Sequence, residues 1–74
     1  MARSALDKSR IIAMQGGKPI GYIKSVSYSK HTFVLTQNKM EAKTYSNVDR
    51  IHKEIDDLTV MPIALQNKIV FMYD

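Results

Sequence analysis

One amphipathic stripe in the second half of this 74-residue chain restricts its folds more than any other feature. From Tyr45 to Leu58 the sequence places Val48, Ile51, Ile55 and Leu58 at i, i+3, i+7 and i+10. That spacing aligns all four on one side of an α-helix and demands an apolar surface to cover them. Ser46 stands where an N-cap belongs, and Asp49 three residues on completes a capping-box variant whose charge suits the positive end of the helix dipole. Asp49 and Lys53 lie four apart in the favourable order. At the far end Asp56 and Asp57 oppose the dipole and Pro62 stops any continuation, so the last turn is expected to fray.

The other segments read as strands able to cover that stripe. Arg10 to Gln15 is a short apolar run ending at Gly16-Gly17-Lys18-Pro19, strong turn chemistry, and Ile20 to Tyr28 follows as its hairpin partner. Along this second strand Tyr22, Val26 and Tyr28 alternate on one face, interrupted by Lys24, with Ile23, Ser25 and Ser27 on the other. Ser29-Lys30-His31 forms a turn, and the β-branched and aromatic run Thr32 to Thr36 a third strand. Gln37-Asn38-Lys39 breaks it, and the alternation of Met40 to Tyr45 predicts a second hairpin, with a helix from Met40 as the competing reading. Ile63-Ala64-Leu65 and Ile69 to Tyr73 supply one or two final strands. The last is apolar on both faces, as in a central or interface strand. The expected fold class is α+β: a small antiparallel β-sheet of four to six short strands with one amphipathic helix packed on one face. Residues 1–9 are expected to be a flexible arm and 10–74 a single ββββαβ(β) domain.

A chain of this size buries only about 60 % of the surface it exposes when unfolded. It has no cysteine, which removes disulfides and thiolate metal sites, and its two histidines argue against a structural zinc. What remains is a helix-on-sheet core or self-association, so a homodimer is one of two routes to stability open to it. No apolar core region follows Met1 to Leu6 and no apolar run reaches the ~18–20 residues of a membrane span, so the expected location is the cytoplasm, without membrane contact.

Catalytic chemistry is poorly represented. His31 falls in a turn among basic residues and His52 on the helix outside its apolar stripe, and the nearest carboxylates in sequence, Glu54 and Asp56, are read as pointing elsewhere around the helix. Gly16-Gly17-Lys18 lacks the spacing of a phosphate loop, and Pro19 removes an amide that such a nest would use. Asp49, Glu54, Asp56 and Asp57 spread around the helix instead of converging on a cation. No enzyme activity, cofactor or metal is expected.

Binding is better supported. Residues 1–44 carry eight Lys/Arg against Asp7 and Glu41, and residues 45–74 carry three against five acids, so the net charge of +4 divides into +6 and −2. Lys18, Lys24, Lys30, Lys39 and Lys43, interleaved with Tyr22 and Tyr28, form a candidate nucleic-acid surface in which rings stack bases and ammonium groups meet phosphates. The three arginines are scattered and no RNA-recognition signature is present, which weighs against it. The favoured reading is a protein partner at the last strand, where Ile69, Phe71 and Tyr73 would pair edge-to-edge with it or with a second copy, and nucleic-acid binding is the alternative.

Phe33-x-Leu35-Thr36 followed by Ala42-Lys43-x-Tyr45-Ser46-x-x-Asp49-x-Ile51-x-x-Glu54-Ile55 resembles a pattern of small phage, prophage and plasmid accessory proteins. In these a strand leads through an Ala-Lys-x-aromatic segment into a capped amphipathic helix. The likeness covers residues 33–58 and consists of cap, stripe and strand positions. It implies neither an activity nor particular binding residues; because many such proteins act by binding a host protein or a nucleic acid, it favours an interaction module that inhibits or regulates host machinery in a bacterial cytosol.

Overall fold

The structure, a computed structural model, describes residues 9–73. Strand β1 (Ile11–Gln15) turns through Gly16 and Gly17 into the long β2 (Lys18–Ser27). Both glycines have positive φ, 63° and 80°, as the tight two-residue hairpin loop between Gln15 and Lys18 requires. A turn closed by His31 in the left-handed region leads to β3 (Thr32–Thr36). After a 3-10 turn (Lys39–Glu41) come helices α1 (Val48–Thr59) and α2 (Pro62–Asn67), and β4 (Ile69–Tyr73) returns to the sheet. The order across the sheet is β3-β2-β1-β4, with every neighbouring pair antiparallel. The expected α+β class, a small antiparallel sheet with one main helix on one face, is what forms.

Side chains paired across the ladders share a face, which sorts the sheet into two sides. Toward α1 point Ile11, Ala13 and Ile23, all fully buried, with Val26, Phe33, Leu35, Ile69 and Phe71 around them. The helices contribute Ile51, Leu58, Met61 and Ala64, and the connecting loop contributes Tyr45. Phe33 and Phe71 belong to opposite edge strands, yet their rings meet edge-to-face at 5.4 Å. The sheet therefore curls around the core. Irregularities in register at Ala13/Met14 and at Ile23/Ser25 supply local twist of the kind that bulges introduce.

The second of these bulges changes the alternation expected along β2. Ile23 pairs with Leu35 and Ser25 with Val34, leaving Lys24 as the extra residue, so Ile23 and Val26 end on the same face. An inserted residue shifts a period-2 pattern by one, which alternation alone does not reveal.

Four further expectations are corrected. Asn47, not Ser46, caps α1: its Oδ1 accepts from the amides of Asp49 at 2.8 Å and Arg50 at 3.3 Å. Residues 40–45 do not return as a hairpin strand against β3. The Thr36 hydroxyl accepts the Asn38 amide and the Asn38 side chain accepts the Met40 amide, which folds the chain into the 3-10 turn. The segment beyond it then runs to the fork between β2 and the start of β1. There the Lys43 amide donates to Ile23 O at 2.9 Å, and Ser9 and Tyr45 exchange two backbone bonds of 2.8 Å. Ile63-Ala64-Leu65 lies in α2, not in a strand, because Pro62 sits in its first turn, where a missing amide costs nothing. Lys68, left-handed at φ 56°, ends α2 and turns the chain into β4. Finally, β4 is an edge strand and not a central one. Of the arm expected at residues 1–9, only Ser9 lies within the described residues.

On α1, Ile51 and Leu58 are fully buried and Ile55 half-buried, whereas Val48 in the first turn remains exposed. Leu58→Ala should cost about 2–5 kcal/mol in urea unfolding, since it opens a cavity at the centre of this layer. Asn47→Ala should cost about 1 kcal/mol, and Ser46→Ala less than about 0.5 kcal/mol. The opposite ranking would return the cap to Ser46.

Candidate functional site

Beside its apolar stripe, α1 carries a polar one. Arg50, Lys53, Glu54 and Asp57 fall at i, i+3, i+4 and i+7, and together they form one wall of a cleft of about 410 Å3. Tyr28, from the β2–β3 turn, and Lys43 and Tyr45, from the segment crossing the fork, form the other. The backbone bonds of Lys43 and Tyr45 to Ile23 and Ser9 hold that second wall in place.

Glu54 lines the cleft and is the one charged side chain buried among the described residues. Its Oε1 accepts the Tyr45 hydroxyl at 2.6 Å and the Lys43 ammonium at 3.0 Å. Lys43 also stands 5.2 Å from the centre of the Tyr45 ring, a cation–π contact. Burial, and secondarily the charge of Asp57, raise the Glu54 carboxyl above its ordinary pKa even with that ammonium in place. Burial also pushes the Tyr45 phenol up to about 12, against the opposing pull of Arg50. Lys53 and Asp57 make an exposed i,i+4 pair at 3.8 Å, a contact that contributes little to stability. The Arg50 guanidinium has no hydrogen bond or ion pair among the described residues.

A second feature is the face of the sheet turned away from α1. Ile12, Met14, Tyr22, Val34, Val70 and Met72 share it through the pairings Ile12↔Tyr22, Ile12↔Met72, Met14↔Val70 and Ser25↔Val34. Val34, Val70 and Met72 are each at least half exposed, and the other three are half-buried. One end of this face is crossed by the 3-10 turn. There Glu41 accepts from the Thr36 hydroxyl and lies 3.7 Å from the Lys24 ammonium, while Arg10 Nε donates to Lys39 O.

The structure distributes the candidate nucleic-acid residues over several surfaces. Tyr22 and Lys24 belong to the open sheet face, whereas Tyr28 and Lys43 line the cleft on the helix side. Lys18 and Lys30 flank opposite ends of β2, and Lys39 begins the 3-10 turn. In the last strand Ile69 and Phe71 face α1 and are half-buried, while Tyr73 stands edge-on to His52, its hydroxyl 3.5 Å from Nε2. The outward side chains of β4 are the alternate pair, Val70 and Met72. Among the described residues no group of three His, Cys, Asp or Glu is arranged to hold a metal ion, and no helix is long and apolar enough to cross a membrane.

Sequence reasoning passed over the cleft. Its signal was present in the i, i+3, i+4, i+7 spacing of the polar residues on α1, with Glu54 between the buried positions 51 and 58. The other wall depends on where residues 43–45 dock, which is not a periodic property.

The chain is thus a small α+β protein with a one-sided sheet and a polar cleft beside its main helix. No protein-family model, curated protein or solved structure matches it.

The folded protein favours the neutral Tyr45 phenol, so that contribution to stability is complete below pH 10 and is lost as pH climbs from 10 toward 12. Tyr45→Phe should remove this alkaline loss, on the order of 2 kcal/mol, in unfolding curves recorded at pH 8 and pH 11.5. If wild type and variant lose stability in parallel over that range, the phenol is not held in the neutral form by the fold.

Proposed function

We propose that this protein is a non-enzymatic interaction module that docks a protein partner on the open face of its sheet. The supporting observation is the cluster of Ile12, Met14, Tyr22, Val34, Val70 and Met72 on the side opposite α1, with three of the six at least half exposed. Contiguous apolar surface of this kind on a small domain marks an interaction site more often than scattered exposed residues do.

Charge selects the kind of partner. Described residues 9–44, which contain three of the four strands, carry six Lys/Arg against Glu41 alone; residues 45–73 carry three against four acids. Arg10, Lys24 and Lys39 lie at the end of the open face that the 3-10 turn crosses. A second copy docked face-to-face would bring one basic end against another, whereas a protein with an apolar patch edged by Asp and Glu would be complementary. The resemblance of residues 33–58 to phage and plasmid accessory proteins supports a host protein in the bacterial cytosol as the partner, and inhibition or regulation as the outcome.

The same basic end favours a second reading, nucleic-acid binding, and one set of variants separates the two. Val34→Asp and Met72→Asp place charge on the open face at exposed positions, while Val48→Asp, at the exposed start of α1, serves as the control. Crosslinking followed by mass spectrometry should recover one host protein with wild type and Val48→Asp, and not with either open-face variant. Equal recovery with all four proteins would overturn the proposal. Fluorescence anisotropy with labelled DNA and RNA across a salt series covers the second reading. Binding that weakens steeply with salt, is reduced by Lys24→Glu and ignores Met72→Asp would replace the protein partner with nucleic acid. A wild-type dimer in sedimentation that Met72→Asp disperses would assign the face to a second copy.

A further inference from the structure

We propose that the cleft between α1 and the β2–β3 turn binds a small organic anion of single negative charge, a carboxylate or phosphodiester attached to a planar body. This goes beyond the docking function above and uses a different surface. The cleft is open on one side and has a volume of about 410 Å3, enough to seat a small organic molecule.

Three of its features fix the ligand class. The first is charge. Lys43 is paired with Glu54 and Lys53 with Asp57, which leaves the Arg50 guanidinium as the remaining cation of the lining. A guanidinium presents parallel N–H donors that match two coplanar oxygens sharing one charge. The second is a buried acceptor. Both hydrogen bonds to Glu54 end on Oε1, and Oε2 has no donor among the described residues, although the side chain is nine-tenths buried. A buried carboxylate oxygen without a donor is costly, so a ligand N–H or O–H at that point is recognised strongly. The third is the Tyr28 ring, which lines the cleft and is 47 % exposed, offering an aromatic face to a planar group. An anion on Arg50, a donor on Glu54 and a ring on Tyr28 hold such a ligand at three points.

Two probes represent the two sources of this chemistry. N-acetyltyrosine carries a carboxylate, an amide N–H and a ring; the dinucleoside phosphate UpU carries a phosphodiester, ribose hydroxyls and bases. Their uncharged counterparts are N-acetyltyrosinamide and uridine. Titration of isotopically labelled protein, followed by NMR, should show at least one charged probe binding about ten-fold or more tightly than its counterpart, with shifts confined to Tyr28, residues 43–45 and α1. The probe that binds identifies the source. Arg50→Gln should abolish the preference for charge, Arg50→Lys should retain part of it, and Tyr28→Ala should weaken charged and neutral probes alike. Neither Arg50 nor Tyr28 belongs to the core, so the amide spectrum of the free variants serves as the check on folding. No preference for charge with either probe, unchanged affinity in Arg50→Gln, or shifts on the open sheet face would each overturn the proposal. Because Met72→Asp leaves the cleft intact and Arg50→Gln leaves the open face intact, failure here and failure of the docking function are separately visible.

Discussion

The paired backbone bonds between Ser9 and Tyr45, with the neighbouring bond from Lys43 to Ile23, decide where the main helix begins and what its polar side faces. They anchor an irregular segment in the fork between two strands, where buried amides and carbonyls would otherwise lack partners. Tyr45 is thereby buried, Lys43 is brought beside it, and α1 starts three residues beyond Tyr45, at Val48, with its apolar stripe toward β4. The cleft is a product of the same anchor. Without it the carboxylate of Glu54 would face solvent, and neither the phenol nor the ammonium would converge on it.

This arrangement concentrates the helices on one side. α1 and α2 pack closest to β4, and the curl that brings Phe33 to Phe71 closes the core beneath them. Among the described residues, the opposite side of the sheet has only the 3-10 turn across one end. Apolar side chains at its middle and basic side chains at that end suit association more than solvation. The acidic residues gather on α1, so the two sides of the molecule differ in charge as well as in polarity, and a partner meets a different chemistry on each.

Much of the architecture was legible in periodicity and turn chemistry. The 3.6-residue spacing of Ile51, Ile55 and Leu58, the Gly16-Gly17 hairpin and the run Thr32–Thr36 each carry a local signal strong enough to survive tertiary context. Elements whose form depends on a distant contact were misread. Residues 40–45 alternate like a strand but turn aside, because Asn38 and Thr36 capture nearby amides and the fork supplies other partners. Ile63-Ala64-Leu65 was too short for its period to distinguish helix from strand, and the left-handed position that ends α2 is held by Lys68, one residue beyond Asn67. In β2 a single extra residue, Lys24, inverted the assignment of faces beyond it. At the cleft, the stripe on the helix was readable, whereas its opposing wall depends on long-range docking.

The place of β4 has a consequence for how the chain acquires its structure. β1, β2 and β3 form a meander of neighbours joined by short turns, and such local pairings form early because little loop entropy opposes them. β4 joins β1 from more than fifty residues away, after both helices, and its Phe71 supplies the ring that Phe33 packs against. During synthesis at ~5–20 residues per second the meander emerges seconds before its fourth strand. Through that interval β1 presents a bare hydrogen-bonding edge and the sheet has two apolar faces, of which the helices of the completed fold cover one.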